Sequence, residues 1–524
     1  MPSSSRLQNV ACAIIFSFAT LLFLMQTIDF VNFTVDDVFI TLRISDNVAH
    51  GQGFVYNPGD RVEGYSNWLW VVLLSIPVVA GVSRSSSPFE LLWIAKGLGL
   101  FFGIATLSTL FFLTKNAAGS SPRRSLLASI AVLFAASCAM FVQWSIGGLE
   151  TTLCAFLYLF AALQAWHIFE ERPPRSARLF LFGTSLALSC LVRPEPILFS
   201  GLAFLFVFRF GGKRFSLKTM SAALVPFLAI VGTFILWRWN YYDSVVPNTF
   251  YAKTSNGLSS YFLGIKYAFG AVLAIGGPLL GIIPLVFLQK TTKINLYALL
   301  MIGTTFLFTC YSAGDWMPGY RFFIPVASFF FLIAAMGIEK SYGHFLDKLS
   351  TVKHYVSLLV ILLVIACSTV FFGRTFLRGQ MPALATGFSV HKGYMLDVRD
   401  SVVQWFNSHT TKPFSVVTGE AGYLGYYSPN LQIIDVNGLF DKTIARAIKH
   451  RAPVDPDYFF GKKPDFVLLF GVNIHSQSIT DNSPSSVYLF SLIHDVRFLQ
   501  QYREVKTFPG FEIFARIDNA GVMK

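Results

Sequence analysis

Residues 8–373 carry eleven apolar runs, at about 8–28, 89–114, 125–143, 150–169, 178–192, 195–209, 218–238, 261–288, 294–312, 322–338 and 355–373. A helix needs roughly 20 apolar residues to cross a hydrocarbon core about 30 Å thick. In lipid only helices and closed barrels satisfy their own backbone polar groups. Charged residues are 13% of the chain, Phe alone occurs 55 times and the mean hydropathy is +0.56, which excludes an ordinary soluble domain. The expected fold class is therefore an α-helical polytopic membrane protein with about 11 transmembrane helices. Met1–Val10 has one arginine and no A-x-A site, so the first run reads as a retained helix rather than a cleaved leader.

The run 67–83 contains Trp68, Trp70 and a central Pro77 and is barely long enough to cross. It reads as an interfacial segment within a first outer loop of about 29–88. Alternate loops then collect sixteen Lys and Arg residues, among them Arg6, Lys115, Arg123, Arg124, Arg175, Arg178 and Lys293. By the positive-inside rule the N-terminus is cytoplasmic and the long C-terminal tail extracytoplasmic. Most of the net charge of +13 is thereby assigned to topology, and no nucleic-acid partner is expected. The six cysteines all lie in apolar runs and lack metal-site spacing.

Two domains are expected: 1–373 as the membrane domain and 374–524 as a soluble α/β domain. In the tail, Phe414-Ser-Val-Val-Thr418, Leu431-Gln-Ile-Ile-Asp435 and Asp465–Phe470 read as buried strands, and Leu396–Phe406 and Asp441–Lys449 as helices.

Ionisable residues gather at the outer ends of the spans, which points to one water-accessible cavity. Asp36-Asp37 directly follow the first span, and helical spacing puts Asp36, Ile40 and Arg43 on one face. There is no G-x-x-x-x-G-K-[ST] or G-x-G-x-x-G loop for a nucleotide. A sugar carried on a lipid phosphate needs no such loop, because its leaving group is already activated. It needs a base, for which Asp36 and Asp37 are the candidates. It needs cations for the departing phosphate, for which Arg43, Arg193, Lys253 and Arg321 are the candidates. Glu63, Tyr65, Asn67, Glu150, Glu195, Asn248, Asp315 and Trp316 are candidates for holding sugar and acceptor. Asp37, Glu150 and Asp315 are hard ligands that suit a divalent cation such as Mg, Ca or Mn. Lys96, near the outer end of its span, reads as snorkelling. A flippase for lipid-linked sugars and a non-catalytic envelope protein are the alternative classes.

Several stretches follow one another in a recognisable order: Asp36-Asp37-Val-Phe-Ile-Thr-Leu-Arg43, Asn57-Pro-Gly-Asp-Arg61-Val-Glu63-Gly-Tyr-Ser-Asn67, Gly148-Leu-Glu150-Thr151 and Arg193-Pro-Glu195. Pro247-Asn248-Thr-Phe-Tyr-Ala-Lys253, Gly314-Asp315-Trp316 with Arg321-Phe-Phe-Ile-Pro325, Gly419–Tyr427 and Ile434–Leu439 complete the set. In this order they resemble the GT-C membrane glycosyltransferases, most closely the family of the mycobacterial terminal β-1,2-arabinofuranosyltransferase. The resemblance implies a GT-C fold with an essential Asp in the first outer loop, matched here at Asp36-Asp37. It implies a polyprenyl-phosphate-linked sugar as donor, which is decaprenyl-phosphoryl arabinofuranose in the arabinosyl member. It further implies an extracytoplasmic glycan or glycolipid as acceptor, a tail that binds it, and a place in a bacterial plasma membrane.

Overall fold

The computed structural model describes residues 4–82, 90–171, 173–211, 216–253, 258–288, 291–347, 352–380, 396–410, 412–450, 452–470, 472–473, 478–479 and 484–518. Each of the eleven apolar runs is helical there. Among the described residues, eight helices are long and apolar enough to cross a membrane. A ninth crossing is formed if Arg124–Ser137 and Ala139–Ser145, bent by 74° at their break, act together. Ser176–Val192 and Pro196–Phe210 are shorter apolar helices, and Trp68–Val79 has only twelve residues.

The chain divides into two compact units. The first comprises Met1–Phe33, Ala95–Phe234 and Leu258–Phe388. Its centre is made of the helix Arg124–Ser137 with the apolar stretches of Thr151–Glu170 and Ile324–Asp347. Ala128, Ser129, Ala131, Ala135, Ala136 and Ser137 are all buried along the first of these. Small side chains let neighbouring backbones approach, which is how helices associate when lipid removes the hydrophobic drive. Gly183 shows the same device, since a Cβ there would lie 1.9 Å from the carbonyl oxygen of Ala223. Polar ends are tied internally: Gln26 donates to the Ala136 carbonyl at 2.7 Å, and Arg123 pairs with Glu339 at 2.9 Å.

The second unit joins segments far apart in sequence, Thr34–Ile94, Ile235–Gly257 and Ser389–Lys524. Among the described residues the strands are β1 (Phe414–Thr418), β2 (Leu431–Asp435), β3 (Phe466–Phe470), β4 (Val472–Asn473), β5 (Ser478–Ile479), β6 (Tyr502–Phe508) and β7 (Phe511–Arg516). Five form one sheet in the order β2-β1-β3-β7-β6, while β4 and β5 pair separately. β2, β1 and β3 run parallel, with Val416 opposite Ile433 and Phe466, and β6–β7 close as an antiparallel hairpin. β3 reads Phe-Val-Leu-Leu-Phe without alternation because both its faces are covered. Phe406 packs on Phe414 and Phe466, while Val467 and Leu469 join the core of Ile444, Ile448, Phe459, Phe498 and Phe514. The three expected strands and both tail helices are present, as Leu396–His409 and Lys442–His450. The hairpin β6–β7 was not anticipated, because β6 is mostly exposed and polar.

β2 is an edge strand, and residues of the first loop close it. The Asn57 side chain donates to Ile433 O at 2.9 Å and accepts from Ile433 N at 3.1 Å, acting as one residue of a neighbouring strand. Arg43 donates to Leu431 O at 2.6 Å. Unpaired edge groups are costly when buried. Asn57→Ala would strand both groups of Ile433 at about 1–3 kcal/mol each. We expect the melting temperature of the purified protein to fall accordingly, with Asn57→Asp, which keeps only the acceptor, intermediate.

Candidate active site

The stretch from Asp36 is a helix, Asp36–Ala49, with both carboxylates in its first turn, where negative charge suits exposed N–H groups. Asp36 and Arg43 share a face, as the spacing requires, and the tail loop 421–431 covers that face. Gly422 N donates to Asp36 Oδ2 at 2.7 Å and Tyr423 N donates to Oδ1 at 2.9 Å. A Cβ on Gly422 would fall 2.1 Å from Asp36 O, so only glycine permits this approach. Phe39 packs edge-on against Tyr423, with centroids 5.0 Å apart. Asp37 is half-buried beside Asp36.

The loop that holds Asp36 is itself clamped. Arg399, buried on the helix Leu396–His409, donates through Nε to Glu420 Oε2 at 2.6 Å. Tyr423 Oη donates to Asp400 Oδ1 at 3.3 Å, and Asn437 Nδ2 to Gly419 O at 2.7 Å. Burial works against the Arg399 charge, but the Glu420 and Asp36 carboxylates outweigh it and raise its pKa. None of Arg399, Glu420, Gly422 or Tyr423 was singled out by type. The signals for Glu420, Gly422 and Tyr423 are the glycine-rich run after an apolar strand and the family resemblance of Gly419–Tyr427.

Several expected ligands turn out to hold the protein together. Arg43 gives Nε to Tyr56 O at 3.0 Å, Nη1 to Gly425 O and Nη2 to Leu431 O, and lies 4.4 Å over the Tyr56 ring. The guanidinium fork thus feeds main-chain carbonyls. Glu63 is 2% exposed and pairs with Arg238 at 2.8 Å. Tyr65 Oη meets Tyr242 Oη at 3.1 Å, and Asn67 Nδ2 donates to Thr41 Oγ1 at 3.1 Å. Asn248 Nδ2 donates to Gly438 O at 2.7 Å and Leu439 O at 2.9 Å. The Lys253 side chain lies outside the described residues.

A second cluster belongs to the first unit. Arg193 donates to Glu150 Oε1 at 2.8 Å and also to Glu195. Arg321 donates to Asp315 Oδ2 at 2.7 Å. Both guanidinium groups lie over the Phe322 ring, at 5.0 and 5.6 Å. Two arginines thus meet three carboxylates. Trp316, beside them in sequence, is 65% exposed. Among the described residues no three His, Cys, Asp or Glu side chains come together to hold a metal. Within the first unit, Glu150 and Asp315 each answer an arginine.

Lys96 corrects another expectation. It does not snorkel but is 2% exposed, with Nζ donating to Val31 O at 3.0 Å, Ile146 O at 3.1 Å and Phe33 O. It thereby fastens the chain just before Asp36 and just before Glu150.

The fold matches ArnT from Cupriavidus metallidurans bound to undecaprenyl phosphate, with a TM-score of 0.62, 12% identity and coverage of 97% of this chain and 98% of that one. It also matches the Archaeoglobus fulgidus oligosaccharyltransferase in complex with Zn and sulfate, with a TM-score of 0.55, 12% identity and coverage of 96% and 73%. The chain thus has the fold of the GT-C membrane glycosyltransferases, the class its motifs resemble. In sequence it is similar to the terminal β-(1→2)-arabinofuranosyltransferase of Mycobacterium tuberculosis, 26% identical over 268 residues. That alignment covers 49% of this chain and 41% of the relative's length. Residues 390–522 match a family described as a domain of unknown function, DUF8728.

Two buried carboxyls of the second unit titrate high. Burial pushes Glu63 up to about 7 against the pull of the Arg238 charge. It also pushes Asp435 up to about 7, although Asn437, Leu439 and Phe440 donate backbone N–H groups to it. The folded form therefore binds these protons more tightly than the unfolded chain. The associated stability is complete below about pH 4 and is lost as pH rises through about 7. The melting temperature should fall across that window, and Asp435→Asn should flatten the fall.

Proposed function

We propose that this chain is a glycosyltransferase that moves a sugar from a polyprenyl-phosphate donor to an extracytoplasmic cell-envelope glycan or glycolipid. Asp36 is its base. The observation that carries this reading is the Asp36 carboxylate, bound through both oxygens to backbone N–H groups of a clamped loop. Such a group is aimed before substrate arrives, and positioning of this kind supplies much of an enzyme's acceleration. The arabinofuranosyltransferase relative makes arabinofuranose the first sugar to test, and the bound undecaprenyl phosphate of ArnT supports a lipid phosphate as carrier.

In the proposed step the acceptor hydroxyl gives its proton to Asp36 as its oxygen bonds to C1 of the sugar. The C1–O bond to phosphate breaks, and polyprenyl phosphate departs with the electron pair. A single displacement of this kind inverts the anomeric centre. Asp37 orients a sugar hydroxyl. Arg193, Arg321 and Lys253 are proposed to meet the phosphate charge, while Glu150, Glu195 and Asp315 hold the two arginine planes and accept from sugar hydroxyls. The exposed Trp316 ring offers a stacking face. Arg43 is assigned to fastening the tail loop instead of binding phosphate. The site lies on the extracytoplasmic side and the N-terminus in the cytoplasm, in a bacterial plasma membrane.

The test is a transfer assay in proteoliposomes with polyprenyl-phosphoryl arabinofuranose first among the donors. Asp36→Asn should slow transfer about 10²–10⁴-fold, while its melting temperature falls only by the cost of the one backbone N–H it leaves unpaired, about 1–3 kcal/mol. Gly422→Ala, which displaces the carboxylate, should slow it about 10²-fold. Transfer by Asp36→Asn at the wild-type rate would refute the assignment of the base.

A further inference from the structure

The helix Lys442–His450 is two-faced. Ile444, Ala445 and Ile448 are buried. Lys442, Arg446 and Lys449 follow i, i+4, i+7 spacing and so lie within about 60° of one another on the other side. Asp441 starts the helix, accepting from Thr443 N at 2.9 Å and Ile444 N at 3.1 Å.

Two of the three cations are held against the chain that leaves an apolar helix long enough to cross the membrane. Lys442 Nζ donates at 3.0 Å to the carbonyl of Tyr242, the last residue of Leu217–Tyr242. Lys449 Nζ lies 4.6 Å from the Tyr251 ring centroid and 5.4 Å from that of Phe250. Arg446 is exposed. Along the same stretch Val245 is 56% and Phe250 41% exposed. Exposed apolar side chains beside a row of cations, at the end of a spanning helix, suit the zone where acyl chains give way to headgroups. A soluble acidic partner would match the cations and leave Val245 and Phe250 unexplained.

We propose that this basic face binds the phosphates of anionic phospholipids at the membrane surface, with Val245 and Phe250 entering the acyl boundary. The surface is independent of the sugar-transfer reading, and its test needs no turnover.

The experiment is hydrogen–deuterium exchange on the full chain in nanodiscs of phosphatidylcholine, with and without phosphatidylglycerol. Amides of residues 442–450 should exchange about tenfold more slowly when phosphatidylglycerol is present, and high salt should remove the difference. The triple variant Lys442→Gln/Arg446→Gln/Lys449→Gln should lose the protection. Arg446→Gln alone, which changes only an exposed side chain, should reduce it even if the triple variant folds poorly. Equal exchange in the two discs, or protection unchanged in Arg446→Gln, would overturn the proposal. So would protection by polyprenyl phosphate in phosphatidylcholine discs without any by phosphatidylglycerol, because the surface would then read the donor lipid rather than the bilayer.

Discussion

The Asp36 carboxylate ends on two backbone N–H groups, of Gly422 and Tyr423, nearly 400 residues away in sequence. That contact makes the outer loop and the tail a single object. The tail loop is held at its start by Arg399 on Glu420, Asn437 on Gly419 and Tyr56 on Ala421, while Arg43 holds Gly425 and Leu431 further along. Apart from the Arg399–Glu420 pair, each tie uses a main-chain group on one partner, which leaves little freedom for the loop to slide. The tail is therefore part of the framework that orients the proposed base, in addition to any role in binding acceptor.

Burying charge in a membrane protein demands local compensation. Arg193 and Arg321 sit among Glu150, Glu195 and Asp315, and share the Phe322 ring. Lys96 has a cage of carbonyls instead. Removing one member of such a set leaves an uncompensated buried charge, which typically costs several kcal/mol. These residues are constrained by folding as well as by any chemistry they perform.

This double duty limits how far motifs can be read. Asn57, Asn248 and Arg43 stand in stretches that resemble glycosyltransferase motifs, and all three spend their donors on tail carbonyls. Residue type alone does not separate a sugar-binding amide from one that closes an edge strand, because both need the same donor and acceptor. Lys96 was legible as a cation near a span end. Its caged state was not, since the carbonyls around it come from residues 31–33 and 146.

The sequence by itself determined the membrane-protein class, the positions of the apolar helices, the strands β1 to β3 and the pairing of Asp36 with Arg43 on one helix face. All of these follow from local periodicity and length, which are properties of neighbours along the chain. Only the tertiary structure decided what faces Asp36, which arginines are already answered by carboxylates or carbonyls, and that the first loop and the tail form one unit. Those outcomes depend on backbone donors and acceptors, which every residue but proline carries alike. Which of them remains to be satisfied is known only once the chain has folded.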